Sequence, residues 1–211
     1  MPSVVYNEDC VEVLKRFSDN HFDLAIVDPP YGIGESSKKV ESRQRKIGGN
    51  SKSMADQRDY GDFEWDKSPP TNELIELIRT KANHQAFFGG NYFTLPPSSC
   101  WLVWDKLNGD NDFADCELAW GSFNKAVRKF EFMWNSMLQG DMKNKEARIH
   151  PTQKPVKLYE WLLTNYAKQG QRILDTHLGS GSSAIAANNL GFEIVGCELD
   201  VDYYNAACMR I

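Results

Sequence analysis

The sequence predicts an α/β domain, a mostly parallel sheet with helices on both faces. Two observations carry that expectation. Short apolar runs such as Asp23-Leu24-Ala25-Ile26-Val27 and Glu193-Ile194-Val195-Gly196-Cys197 read as buried strands. Between them lie amphipathic segments at helical spacing, and strands alternating with helices make a parallel sheet.

Ser3-Val4-Val5-Tyr6 reads as a strand, followed by a helix whose apolar stripe is Val11, Val13, Leu14 and Phe17. The run 23–27 ends in Asp28-Pro29-Pro30-Tyr31-Gly32, where two prolines stop both a ladder and a helix. From Gly34 to about Pro70 periodicity is lost. Thr71 caps a helix through Leu74, Ile75, Leu77 and Ile78. Strands are expected at 85–88, 100–104, 116–123 and 127–134, and a loop at 135–149. Lys154-Pro155 opens a helix, Arg172-Ile173-Leu174 is a strand, and an alanine-rich helix runs from Ala184 to Leu190. A last helix covers Val201 to Met209.

With 211 residues, 41% hydrophobic and 25% charged, the chain fits one domain with insertions and is not disordered, collagenous or a disulfide scaffold. No apolar run is long enough to span a bilayer, and Met1-Pro2-Ser3-Val4 has no secretory pattern, so a cytoplasmic protein is expected. Five cysteines without a C-x-x-C pair suit reduced thiols and no metal site. The net charge of -5 hides an asymmetry: residues 36–53 and 122–157 each carry +5, leaving -15 on the remainder. Local fields steer ligands more than the total does, so a polyanionic partner stays open.

The segment Asp175-Thr176-His177-Leu178-Gly179-Ser180-Gly181-Ser182-Ser183-Ala184 joins a strand to a helix. Gly179 to Ala184 satisfies G-x-G-x-x-A, and Glu198 follows 19 residues after Gly179. Glycines admit a ligand to the backbone, and a carboxylate at the next strand's end accepts two ribose hydroxyls. Any adenosine-bearing cofactor could use this. Asp175, at the strand's end, suits a cationic amino group better than a pyrophosphate, which favours S-adenosylmethionine (SAM) over a dinucleotide.

Asp28-Pro29-Pro30-Tyr31 is placed by its strand at the carboxyl edge, where ligands bind in open α/β sheets. The Asp28 carboxylate and the Pro29 carbonyl offer two acceptors to a nucleobase amino group, Pro30 helps to fix the backbone, and Tyr31 offers a ring for an extruded base. Alone, the tetrapeptide is as readily a plain turn.

This tetrapeptide resembles the catalytic motif of amino-DNA methyltransferases, in the Asp form typical of adenine-N6 enzymes. His150-Pro151-Thr152-Gln153-Lys154-Pro155 resembles the segment before that family's cofactor-side helix, and 175–183 its methionine-binding loop. Catalytic motif first and glycine loop last is the order of the β class, which implies a Rossmann-like SAM-dependent methyltransferase fold with circularly permuted motifs.

The resemblance implies catalytic roles for Asp28, Pro29, Pro30 and Tyr31. It implies cofactor contacts from Asp9, Cys10, Asp28, Thr152, Lys154, Asp175, Gly179, Ser180, Gly181, Ser182, Ser183 and Glu198. Thr176-His177 replaces the family's Pro-Phe; His177 is then either a polar cofactor contact or a substitution without chemistry. The implied activity is methylation of a flipped adenine in double-stranded DNA, as in restriction–modification systems. The whole chain, 1–211, would be one methyltransferase domain, with 33–70 and 105–149 as target-reading insertions and homodimerisation as an aid.

Lys38, Lys39, Arg43, Arg45, Lys46 and Lys52 follow the tetrapeptide, and Lys125, Arg128, Lys129, Lys143, Lys145 and Arg148 form a second basic region. Both are candidate DNA-backbone contacts, or solvated surface. Strand alternation puts the interleaved Phe130, Phe132 and Trp134 in the core. Cytosine-C5 chemistry is excluded, because no cysteine follows a proline. Protein-glutamine methylation is disfavoured, since those enzymes typically carry Asn in place of Asp28. Cytosine-N4 methylation and a non-catalytic DNA-binding subunit remain alternatives. An NAD-dependent oxidoreductase leaves the tetrapeptide and 150–155 unexplained.

Overall fold

A computed structural model describes residues 3–33, 68–109, 114–135 and 138–211. The first third gives β1 (Val4–Tyr6), α1 (Cys10–Leu14) and β2 (Phe22–Val27), then α2 (Asn72–Lys81) and β3 (Ala82–Phe88). A short 3₁₀ turn, Gly90–Tyr92, leads to β4 (Cys100–Asp105), β5 (Cys116–Gly121) and β6 (Arg128–Glu131). The last third is α3 (Val156–Tyr166), β7 (Arg172–Asp175), α4 (Ser182–Leu190), β8 (Glu193–Cys197) and α5 (Val201–Arg210).

Local chemistry sets the ends. The Asp9 carboxylate accepts from the Val11 amide at 2.8 Å and starts α1; Thr71 Oγ1 does the same for α2 with the Leu74 amide at 3.2 Å. The first helix stops three residues short of the expected Phe17 because Arg16 and Phe17 donate to Val13 and Leu14, tightening the final turn to i→i+3 bonding. The segment expected at 127–134 shortens to the four-residue β6, which pairs with β4 alone at the sheet's edge.

The strands form one sheet in the order β1-β8-β7-β2-β3-β5-β4-β6, and only β5 runs against the rest. Period-two alternation divides the core. Ile26, Ala86 and Phe88 face α3 and α4, where Leu162, Leu163 and Ala187 are fully buried. Ala25, Val27 and Phe87 face α1 and α2, against Leu14, Ile75 and Ile78. Two covered faces explain why β2 reads as a continuous apolar run. Within the stretch 105–149, residues 116–121 and 128–131 are strands of this main sheet, so that stretch is partly scaffold.

The topology delivers Asp28, Gly89, Asp175 and Glu198 to one carboxyl edge, together with the start of the reversed β5. Gly89 is forced there by geometry: its φ is +67° and an added Cβ would lie 2.3 Å from Cε1 of Tyr31. Gly89→Ala is therefore expected to destabilise the chain by about 1–3 kcal/mol in urea unfolding. A variant as stable as the parent would mean that Tyr31 is free to move aside.

Candidate active site

The site is built around a buried charge pair. Lys154, immediately before the Pro155 cap of α3, is 4% exposed, and its ammonium donates to both oxygens of Asp28 at 2.5 Å. The Tyr31 hydroxyl donates to Asp28 Oδ1 at 2.9 Å, and Lys154 also reaches that hydroxyl at 3.2 Å. Burial pushes the Asp28 carboxyl up, opposed by Lys154. Burial works against the Lys154 charge too, but Asp28 and Glu117 outweigh it and hold the ammonium above the usual lysine range. Each member thus favours the charged form of the other against the cost of burial. Sequence resemblance put Lys154 on the cofactor side; the structure brings it onto Asp28.

A second carboxylate was not legible beforehand. Glu117, on β5, lies 3.2 Å from the Lys154 ammonium through Oε2 and 2.5 Å from Lys106 through Oε1. Burial raises the Glu117 carboxyl, but the two ammoniums override it and bring it down to about 2. The only hint was one acidic residue in an otherwise apolar strand, Cys116-Glu117-Leu118-Ala119-Trp120.

The Tyr31 ring is less open than expected. It stacks on Tyr92 at 5.3 Å and meets Phe93 edge-on at 6.1 Å. Tyr92 is 48% exposed, so it carries the aromatic platform out to solvent.

The glycine loop lies beside this cluster and is stapled by the carboxylates named for it. Asp175 accepts from the Ser183 hydroxyl and, at 3.0 Å, from the His177 amide. Glu198 accepts from the Gly179 amide at 2.8 Å and the Asp200 amide at 2.9 Å. Gly179 and Gly181 have φ of +53° and +76°, which favours glycine, and a Cβ at Gly181 would lie 3.2 Å from Ala207 of the last helix and from Ile211 just beyond it. Ser180 and Ser182 bond each other at 3.0 Å, and Arg210 ties both into the loop. Burial raises Asp175 to about 7, so this carboxylate gains by meeting a cation. Burial also raises Glu198. These groups fit SAM: a loop open to a ligand, a buried carboxylate suited to an ammonium, and a second carboxylate with spare lone pairs for ribose hydroxyls.

The other residues fall around this loop. Asp9 is the cap of α1, and Cys10 is buried, its thiol pushed up to about 12 by desolvation and by Asp9. His177 bonds Thr176 at 2.8 Å through Nδ1, and burial lowers its pKa to about 4, so it is neutral. Thr152 is exposed and held by His150 Nδ1 at 3.1 Å; His150 itself packs on Tyr203 at 4.3 Å and stands over Gly179. Gln153 wires this segment inward, bonding Ile149, Ala147 and the indole of Trp134.

The basic residues do not form one patch. Lys38, Lys39, Arg43, Arg45, Lys46 and Lys52 lie outside the described residues. Lys125 sits at the amino edge, away from Asp28, bonding the Asn165 carbonyl at 2.8 Å and lying over the Tyr166 ring. Arg128 is exposed at the start of β6, and Lys129 is paired with Glu131 and Asp105. Lys143 and Lys145 are exposed on the loop before α3, which Glu146 fastens by accepting from the Val156 amide at 3.0 Å. Arg148 lies over the Trp134 ring at 4.8 Å. Trp134 is buried, and Phe130 and Phe132 pack against the core as expected. Among the described residues no His/Cys/Asp/Glu cluster could hold a metal, and no helix is long and apolar enough to cross a membrane.

Known proteins resemble this chain in sequence and fold. YubD of Escherichia coli (strain K12), described as a methylase, is 25% identical over 213 residues, covering 96% of this chain and 87% of that protein. The M1.HpyAVI–SAM complex matches the whole of both chains with a TM-score of 0.58 at 19% identity. The cytosine-N4-specific PvuII DNA methyltransferase matches all of this chain and 86% of its own with a TM-score of 0.61 at 13% identity. The fold is thus the Rossmann-like one of DNA methyltransferases. The N6/N4 DNA methylase family matches residues 103–209, half of the sequence, and the chain belongs to that family of SAM-dependent DNA methyltransferases.

Proposed function

We propose that the chain is a site-specific DNA adenine-N6 methyltransferase acting on a base flipped out of the duplex. The observation that carries this reading is the Asp28 carboxylate at the end of β2, sharing one sheet edge with the Asp175–Glu198 loop. SAM supplies a methyl group on a sulfonium. Asp28 and the Pro29 carbonyl accept the two N–H bonds of the target amino group and draw its lone pair out of the ring. Pro29 and Pro30 limit backbone movement, and the Tyr31–Tyr92 stack offers the base a surface. When bound, SAM would supply the methyl group by direct displacement at its sulfonium, the C–N bond forming as the C–S bond breaks and the nitrogen giving one proton to solvent. No covalent enzyme intermediate is needed, and alignment supplies the catalysis. Adenine is preferred over cytosine because Asp28 is the adenine-N6 form of the motif.

Double-stranded DNA is the substrate. Lys143 and Lys145, exposed beside the start of α3, are the described basic residues best placed to meet its phosphates. Lys125, at the opposite edge, is left out of that role.

Two measurements test this reading. Asp28→Ala should abolish methyl transfer while SAM still binds; digestion of DNA treated with the parent chain should yield N6-methyladenine. A fully active variant would sink the mechanism, and N4-methylcytosine in the digest would overturn the choice of base.

The second concerns pH. Asp175, held at about 7 by burial, must lose its proton to pair with the SAM ammonium. SAM affinity should therefore be full above pH 7 and weaken by about tenfold per unit below it. Calorimetric titrations from pH 5.5 to 7.5 read this directly; Asp175→Asn should bind weakly with no such slope. A flat profile for the parent would remove Asp175 from the cofactor site.

A further inference from the structure

Four charges alternate across the carboxyl edge: Asp28, Lys154, Glu117 and Lys106. The Lys154 ammonium is bound to both oxygens of Asp28. It is also at ion-pair distance, 3.2 Å, from Glu117 Oε2. That oxygen is buried, and this ion pair is its one polar contact, without the alignment of a hydrogen bond. A buried acceptor without a well-aligned hydrogen bond is costly and rare in folded proteins. Here it sits beside a donor whose hydrogen bonds go elsewhere.

Asp28 is correspondingly crowded. A carboxylate has about four acceptor positions. Lys154 and Tyr31 both use Oδ1, and Lys154 uses Oδ2 as well. An incoming amino group meets a carboxylate already committed to a full ammonium. The conflict grows during transfer, because positive charge moves onto the amino nitrogen beside that same ammonium. Two carboxylates and two ammoniums leave the cluster neutral; without the charge of Glu117 it would be +1 next to a developing cation.

We infer that Glu117 is a positioning residue for methyl transfer, drawing the Lys154 ammonium off Asp28 as the target amino group arrives. This rests on the methyl-transfer reading of Asp28. Glu117 forms and breaks no covalent bond; it acts through Lys154 alone. Lys106, bonded to the other Glu117 oxygen and lying 5.0 Å from the centre of the Trp104 ring, keeps the carboxylate ionised and fixed. The movement is short, since both acceptors are within reach of one side chain whose backbone need not shift.

The test compares kcat, KM for a duplex carrying the mapped methylation site, and the SAM dissociation constant. Glu117→Gln should lower kcat by about tenfold or more while KM and SAM affinity stay within about twofold, the signature of an interaction used in the transition state. Glu117→Asp should recover part of the rate. In a Lys154→Met background, Glu117→Gln should have little further effect, because the two act as one unit.

A readout independent of turnover is the ¹⁵N resonance of the Lys154 ammonium. It should shift when the duplex and a non-reactive SAM analogue are added to the parent, and stay put in Glu117→Gln. A parent chain that methylates no DNA would overturn both the reading and the inference. An active parent whose Glu117→Gln form keeps its kcat within about twofold would overturn the inference alone, as would a parallel loss of SAM affinity and thermal stability.

Discussion

The contact between Lys154 and Asp28 organises the molecule. It joins residues 126 apart in sequence, one at the end of β2 and the other at the entrance to α3. Bringing two charges out of water is expensive, and such a pair seldom stabilises a fold more than well-packed apolar groups would. Removing either partner is different, because the survivor is then an uncompensated buried charge. The pair therefore makes assembly of this edge conditional: β2, β5 and α3 must all be docked before all of their charges are satisfied. Gly89, Tyr31 and Tyr92 are fitted around this edge, with no space between Gly89 and the tyrosine ring.

The glycine loop follows the same logic on the neighbouring strands. Asp175 and Glu198 each bind backbone or hydroxyl groups of the loop, so the candidate ligand contacts also hold its shape. Such a loop is preorganised: its carboxylates are ordered by the protein before any ligand arrives, which lowers the entropy cost of binding. Burial is the cost that remains, expressed in the raised carboxyls of Asp175 and Glu198.

The architecture was legible in the sequence because it rests on local signals. Prolines after β2, the threonine cap of α2 and the glycines before α4 each punctuate the chain through their own backbone chemistry. The positions of Asp28, Asp175 and Glu198 followed, because strand ends in a parallel sheet share an edge. Glu117 did not follow. Its place depends on β5 inserting, reversed, between β3 and β4, a long-range pairing with no local mark. The resemblance places Lys154 near the methionine moiety, but its contact with Asp28 is not legible, since spacing says where a helix starts and not which carboxylate it meets. Lys125 shows the same limit: residues grouped in one basic region of the sequence reach opposite edges of the sheet in space.

Charge placement then explains how an acidic chain can serve DNA. The buried carboxylate Asp175 and the half-buried Asp28, Glu117 and Glu198 converge on one edge, a setting that suits cationic groups. The same groups would repel a phosphate backbone if they faced it unscreened. Lys154 and Lys106 neutralise two of them from within, and the exposed Lys143 and Lys145 stand on the loop above α3. Under the proposed reading, a polyanion approaching that edge would meet these lysines first, and an uncharged base turned out of the stack would descend to the carboxylates. The net charge of -5 is thus the sum of segments of opposite sign, and its sign says little about the partner.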